Sequence, residues 1–171
     1  MTKDSLQQFS DAVSSSWGPL TSELVLSARQ CMSRLLEAPA SEAWLSALLA
    51  DAPESRELFR DPVHDFLLLA HTEEAGLYRP PHDHGRGWVI YAVMSGEMEM
   101  GTYRRVHDLR GNAHIVRRET FSLRPGDIRV FLPGDIHDTR SVAGPLTLFR
   151  FTSRDFKKEE LTRYPEPARA S

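Results

Sequence analysis

The sequence predicts a mainly β domain, in which a closed barrel of two sheets follows a group of N-terminal α-helices. From about residue 63 onward, short apolar runs alternate with turn residues, a texture typical of sandwiches and barrels. Before that point, apolar residues recur at three- and four-residue steps, as one buried helix face requires. With 171 residues, the chain has the size of one ordinary domain.

Helices are predicted over residues 1–52. A short one is expected over about residues 4–15, ended by Gly18-Pro19. The next carries the repeating apolar positions and stops before Pro39. Ser41 is the expected N-cap of a further helix that ends near residues 51–53.

The barrel is predicted over residues 63–156. Its candidate strands are separated by segments rich in Gly, Pro, Asp and Asn, and they cover residues 66–71, 88–94, 97–104, 114–121, 127–131 and 146–152. Closing these strands into a roll removes exposed edges and leaves an interior that can hold one ligand. The remaining residues, 157–171, are charged and contain proline, which predicts a loosely held tail.

Charge and cysteine content narrow the possible partners. The chain has 21 Lys and Arg against 24 Asp and Glu, so no basic excess points to nucleic acid or to an anionic membrane. A small-molecule partner is expected instead. The single cysteine, Cys31, cannot form an intrachain disulfide, and no segment has the roughly 20 apolar residues of a membrane span. These features favour a cytoplasmic location.

Three histidines form the most informative pattern. His82 and His84 are two residues apart, so in a strand both imidazoles would point to the same side, as a metal site needs. Alone, such a pair is equally compatible with two solvated histidines in a Pro/Gly-rich loop. The segment Pro133-Gly134-Asp135-Ile136-His137 adds a third histidine just after a strand, at the mouth of the predicted barrel.

These two segments resemble the motifs of the cupin superfamily. The first motif is a glycine, five residues, His-x-His and a closing glycine, which residues 76–96 reproduce; the second ends in Pro-Gly-x-x-His, as residues 133–137 do. The resemblance implies a cupin double-stranded β-helix, or jelly-roll barrel, with the N-terminal α-helices packed outside. It also implies one metal ion bound by His82, His84 and His137. Cupins often form homodimers, so a homodimer is one expected state.

Within the superfamily, the pattern is similar to the cysteine dioxygenase branch of non-haem iron thiol dioxygenases. The glutamate ligand that many cupins carry is replaced here by Trp88 or Val89, which leaves three neutral imidazoles. The resemblance implies Fe(II), although Ni, Zn or Cu could bind the same imidazoles in a recombinant sample. Three protein ligands leave open positions on the ion, so the expected activity is O2-dependent oxidation of a small anionic substrate such as a thiol or thiol carboxylate.

Other residues are candidates for holding the substrate. Arg56 and Arg60 precede the first core strand, in the region where the thiol dioxygenases keep an arginine that binds the substrate carboxylate, and Arg86 lies beside the ligand loop. Each of them could equally be a solvated surface arginine. Tyr91 is a candidate cavity hydroxyl, with a structural tyrosine as the alternative.

The family's His-x-Tyr pair on a late strand is replaced by Phe149 and Phe151. If these rings face the metal, Arg150 points outward and the pocket is more apolar than that of a cysteine dioxygenase. Two other classes of function stay open: a non-enzymatic cupin that binds a small ligand or stores metal, and an isomerase or lyase that uses a redox-inert ion.

Overall fold

The structure, a computed structural model, describes residues 3–165. It begins with three helices, α1 (Ser5–Ser16), α2 (Ser22–Leu36) and α3 (Ala43–Asp51). The side chains of Asp4 and Thr21 cap α1 and α2 by accepting backbone N–H bonds, as N-cap residues do. The prediction of Ser41 as the cap of α3 is wrong, since the N-cap is Glu42, whose carboxylate accepts hydrogen bonds from Ser5 of α1 and from the Trp44 indole.

Seven antiparallel strands follow. They are β1 (Arg56–Arg60), β2 (Leu67–Glu73), β3 (Tyr78–His82), β4 (Val89–His107), β5 (Ala113–Leu123), β6 (Ile128–Phe131) and β7 (Ile136–Thr152). β1 and β3 were not among the candidate strands, so the strand region begins before residue 63. No helix within residues 3–165 is long and apolar enough to cross a membrane.

Two long strands, β4 and β7, pair with each other and run through both halves of the barrel. In one half, β1, β2 and β6 join the first part of β4 and the last part of β7. In the other half, β3 pairs with the first part of β7, and β5 pairs with the last part of β4. This arrangement is a double-stranded β-helix, so the predicted fold class is confirmed.

The corner of β4 lies at Gly96, where the sequence suggested a turn between two separate strands. The β4–β7 register shifts on both sides of this residue, and its φ of 80° is in the left-handed region that favours glycine. A Cβ at this position would lie 2.6 Å from the carbonyl oxygen of Ala143 and 2.8 Å from the Cα of Leu146. The glycine therefore lets β4 bend closely around β7 and continue into the second half.

The helices cover the outer face of the first half. Their buried side chains, including Phe9 of α1, form one apolar core with Phe66, Phe149 and Phe151 of the barrel. Phe9 lies edge-on to Phe151 with ring centroids 6.2 Å apart, and Trp44 lies 5.9 Å from Phe149. A second core fills the barrel interior with the alternate residues of the same strands, among them Val89, Tyr91, Val93, Leu146 and Leu148.

The segment from residue 157 to residue 165 does not behave as the loose tail that its composition suggested. The Asp83 N–H donates to the carbonyl of Thr162 at 3.0 Å, and the Tyr164 N–H donates to the carbonyl of Pro81 at 2.9 Å. This segment therefore packs against the loop that carries the histidines. The rest of the predicted tail, residues 166–171, lies outside the described residues.

Candidate metal centre

His82, His84 and His137 come together at one end of the barrel. His82 is the last residue of β3, His84 lies in the loop after it, and His137 is the second residue of β7, directly opposite His82 in the strand register. Each offers a ring nitrogen, and these atoms lie within 4.8 Å of one another. The grouping therefore depends on the β3–β7 pairing and on the loop, and not on a continuous strand through His82 and His84.

Hydrogen bonding and ring stacking orient the imidazoles. Nδ1 of His82 lies 2.8 Å from the Pro80 carbonyl oxygen, which can only accept, so Nδ1 carries the proton and Nε2 presents its lone pair. The ring of His84 stacks on Phe156 with centroids 4.4 Å apart. The ring of His137 stacks on Phe131 at 4.0 Å. Two of the three rings are thus held by aromatic faces.

All three histidines are neutral at physiological pH. Burial is the main cause that lowers the pKa of each, and it takes the pKa of His84 to about 3 with the help of the nearby His82. The pKa of His137 falls well below its usual value for the same reason and through both other histidines. Since a metal ion binds the unprotonated nitrogen, the site is in its ligating form without proton release.

The spacing of the nitrogens fits a single ion. Nε2 of His84 and Nε2 of His137 are 3.4 Å apart. Two imidazole nitrogens on one ion at about 2.1 Å would lie about 3.0 to 3.4 Å apart, depending on the coordination geometry. The three histidines could therefore hold a metal ion. Within residues 3–165, no carboxylate belongs to this group.

Tyr91 lies beside the histidines. It is buried on the inner face of β4, and its hydroxyl is 3.4 Å from Nε2 of His137. Burial raises the pKa of its phenol, so the hydroxyl keeps its proton and can donate a hydrogen bond. In the β4–β7 register, Tyr91 is directly opposite Arg150.

A cavity of about 480 Å³ opens onto His82 and His84. Four cationic side chains line it, and no Asp or Glu is among its described lining residues; the cations are Arg79, Arg150, Lys157 and Arg163. Arg79 forms an ion pair with the buried Glu73 at 2.6 Å. The remaining three have no ion pair with a carboxylate in residues 3–165, so the cavity is suited to anions.

The three arginines proposed from the sequence lie elsewhere, and none lines this cavity. Arg56 forms an ion pair with Asp51 at 2.8 Å. Arg60 is held by Glu57, Asp65 and Asp155. The side chain of Arg86 is 81% exposed. Their charges are compensated or solvated away from the histidines, so the geometry lends no support to a role as substrate anchors, which stays a prediction.

The predicted orientation of β7 is also wrong. Phe149 and Phe151 point away from the barrel interior into the helical layer, so Arg150 points inward. Both faces of this part of β7 carry apolar residues, so only the packing of the helices against Phe149 and Phe151 decides the orientation. Sequence reasoning also missed Lys157 and Arg163, since both belong to the segment that was expected to be loose.

No protein-family model matches this sequence, and no curated protein matches it. Solved structures with a similar fold do exist. An uncharacterized conserved protein with a double-stranded beta-helix domain from Klebsiella pneumoniae is 17% identical, with 67% of this chain and 85% of that chain covered and a TM-score of 0.45. KdgF from Halomonas sp. is 22% identical, with 60% and 82% covered and a TM-score of 0.45. The Cnp3 cupin domain from Schizosaccharomyces pombe is 12% identical, with 57% of each chain covered and a TM-score of 0.45. At these identities the likeness concerns the fold alone.

Proposed function

We propose that this chain is a mononuclear non-haem Fe(II) dioxygenase that oxidises a small anionic substrate with O2, in the manner of the cysteine dioxygenase-like cupins. One observation carries the proposal: three neutral imidazoles cluster together, and two of them, His82 and His84, line a cavity whose charged lining residues are all cationic. Fe(II), when bound, would supply the redox chemistry and the attraction for an anionic donor group.

The charge of the site favours an anion strongly. The three ligands are neutral, so they leave the charge of a divalent ion uncompensated by protein. Arg150 and Lys157 add positive charge to the same cavity. Because the cavity is partly enclosed, these charges are screened less than they would be in water. A thiolate or a carboxylate is therefore the group that this site should bind best.

Tyr91 is placed to act on such an anion. Its hydroxyl lies next to the ligating nitrogen of His137 and keeps its proton at neutral pH because burial raises its pKa. It can donate a hydrogen bond to a negatively charged atom that approaches the histidines. The expectation of a pocket more apolar than that of a cysteine dioxygenase is withdrawn, since Phe149 and Phe151 lie in the helical layer.

The proposal is tested by metal analysis followed by O2 uptake. Protein loaded anaerobically with Fe(II) should bind one ion per chain and consume O2 with a member of a panel of thiol carboxylates and 1,3-dicarbonyls. His84→Ala should lose both properties, because it removes one of three ligands. His107→Ala, at an exposed histidine on the same chain, serves as the control and should keep both.

Two results would contradict the proposal. Full Fe(II) occupancy without O2 uptake across the panel would favour a binding protein, or an isomerase or lyase. Equal metal affinity of the parent and His84→Ala would show that the three histidines do not form a metal site.

A further inference from the structure

Arg150 is an arginine on the inner face of the barrel with unused binding capacity. It lies on β7 between two residues that face the helices, so its side chain enters the interior. Its Nε is buried without a hydrogen-bond partner. Within residues 3–165 it forms no ion pair with an acidic side chain, whereas Arg60, Arg79 and Arg154 all do. The guanidinium is half-buried, interacts with the Tyr91 hydroxyl and has no carboxylate partner in the described residues, so it keeps donors that an anion from outside the chain could use.

The position of Arg150 connects it with the histidines. It lines the same cavity as His82 and His84, and it pairs with Tyr91 across the strands. Arg150 and two of the three candidate ligands therefore face one shared space.

Arg150 also lines a second cavity. A neighbouring cavity of about 290 Å³ shares Arg150, Phe156 and Lys157 with the histidine cavity. The acidic residues that line this neighbouring cavity, Glu57 and Asp155, do not neutralise Arg150, because both form ion pairs with Arg60. A small acidic ligand that enters from the histidine cavity would thus meet Arg150 at the inner wall.

The positive charge of the histidine cavity is larger than one anionic group can compensate. Beyond a divalent ion, Arg150, Lys157 and Arg163 add three positive charges that no described carboxylate pairs with. A single acidic group at the histidines would leave Arg150 uncompensated. Arginine binds carboxylates bidentately, which makes a second carboxylate on the ligand its natural partner.

We propose that the substrate is a small dicarboxylate-type anion, with one acidic group directed to His82, His84 and His137 and a second one bound by Arg150. This inference rests on the proposed metal site for the first group, and it adds the second group and the residue that holds it. It restricts the substrate class to molecules that carry two acidic groups on a short carbon chain.

The test measures binding and needs no O2. Protein loaded with Zn(II), which is redox-inert, is titrated calorimetrically with succinate and with butyrate. Both have four carbons, and only succinate carries a second carboxylate. The parent should bind succinate roughly ten- to a hundredfold more tightly, as expected for one charge-assisted bidentate contact. Equal affinities for the two acids would overturn the proposal.

Two variants identify the residue. Arg150→Met should abolish the preference for succinate and leave the butyrate affinity nearly unchanged, and Arg150→Lys should keep part of the preference because it retains the charge. Arg124→Met removes the same charge from an exposed position, 72% exposed, and should keep the full preference. A preference for succinate that persists in Arg150→Met would assign the second carboxylate to another cation and overturn the role of Arg150.

Stability distinguishes this role from a structural one. Removing an arginine without an ion pair should leave the melting temperature of the metal-free protein unchanged or higher, while removing a structural arginine should lower it. If Arg150→Met does not fold, Arg150 is structural and the proposal fails unless Arg150→Lys shows the intermediate preference. If the protein prefers succinate but its Fe(II) form takes up no O2, this inference is upheld and the dioxygenase is rejected. If the Fe(II) protein takes up O2 but Arg150→Met keeps the parent's ratio of succinate to butyrate affinity, the dioxygenase is supported and the role of Arg150 is rejected.

Discussion

The two faces of β7 differ in what they bury. On the outer face, Phe149 and Phe151 are completely buried against aromatic residues of the helices. On the inner face, Arg150 and Thr152 each leave a buried polar atom without a hydrogen-bond partner. Neighbouring residues of one strand therefore belong to two environments, one saturated with apolar contacts and one with unused polar groups.

This contrast suggests that the outer face of β7 serves stability and the inner face serves ligand binding. Buried polar groups in proteins are nearly always hydrogen-bonded, so unpaired ones mark places where another requirement outweighs stability. Nδ1 of His84 and Nε2 of His71 are also buried without a hydrogen-bond partner. Substitutions that shorten side chains on the outer face should therefore lower the stability of the fold. Substitutions of the polar residues on the inner face should mainly change the affinity for a ligand.

The largest expected effect is on the outer face. Phe151→Ala should lower the free energy of unfolding by about 3 to 5 kcal/mol, because it opens a cavity between β7 and α1. Urea unfolding of the metal-free protein measures this change. Val142→Ala, at a half-exposed position of the same strand, is the control and should change the free energy by less than about 0.5 kcal/mol. A loss below about 1 kcal/mol for Phe151→Ala would show that the outer face is not the tightly packed one.

Much of the fold could be predicted from the sequence because local signals were strong. The helices follow from apolar periodicity, and the three histidines follow from two motifs, one over β3 and the start of β4 and one that leads into β7. β3 could not be found in this way, since it contains Pro80-Pro81, which lack N–H groups and disfavour strand assignment. It exists through pairing with β7, a contact that is distant in sequence.

The orientation of β7 was beyond local reasoning for a different reason. Leu146 and Leu148 are buried on one face and Phe149 and Phe151 on the other, so the strand shows no clear alternation of apolar and polar residues. Only the packing of α1 and α3 decides which face is outside. Since a strand alternates with period two, that decision also turned Arg150 from an outward residue into a cavity residue.

A smaller effect is expected from His71, which sits on the inner side of β2 with its Nδ1 3.2 Å from the Glu54 carbonyl oxygen. Burial, aided by the charge of Arg150, lowers the pKa of His71 from 6.5 to about 4. Between these two values the unfolded state binds the proton and the folded state does not. Stability should therefore fall as pH decreases from about 6.5 to about 4, by at most about 3 kcal/mol, and change no further through this group below pH 4.

Unfolding measured across this pH range tests the expectation. His71→Asn keeps a side-chain donor for the Glu54 carbonyl and removes the titration, so its stability should fall less steeply than that of the parent. His107→Asn, at an exposed position, is the control and should follow the parent curve. Parallel curves for the parent and His71→Asn would mean that other groups, including the three clustered histidines, cause the acid sensitivity.

The smallest effect concerns the loop that carries His84. The carboxylate of Asp83 accepts hydrogen bonds from the Tyr164 hydroxyl at 2.7 Å, from the Gly85 N–H at 3.0 Å and from the Thr162 N–H at 3.2 Å. Asp83 lies between His82 and His84 of the candidate metal site, so these bonds fix the loop with respect to β3. Tyr164→Phe removes one of them and should cost about 1 to 2 kcal/mol, as a hydrogen bond to a charged group does.

If the loop is held mainly for the metal, this cost should appear in metal affinity. Competition with a chelator should show roughly five- to thirtyfold weaker binding of Zn(II) by Tyr164→Phe. Ser14→Ala is the control, because it removes a hydroxyl-to-carboxylate bond to Asp61 between α1 and the barrel, remote from the histidines. It should lower stability and leave metal affinity as in the parent. Equal metal affinity in Tyr164→Phe and the parent would show that the segment around Tyr164 covers the histidine loop without positioning it.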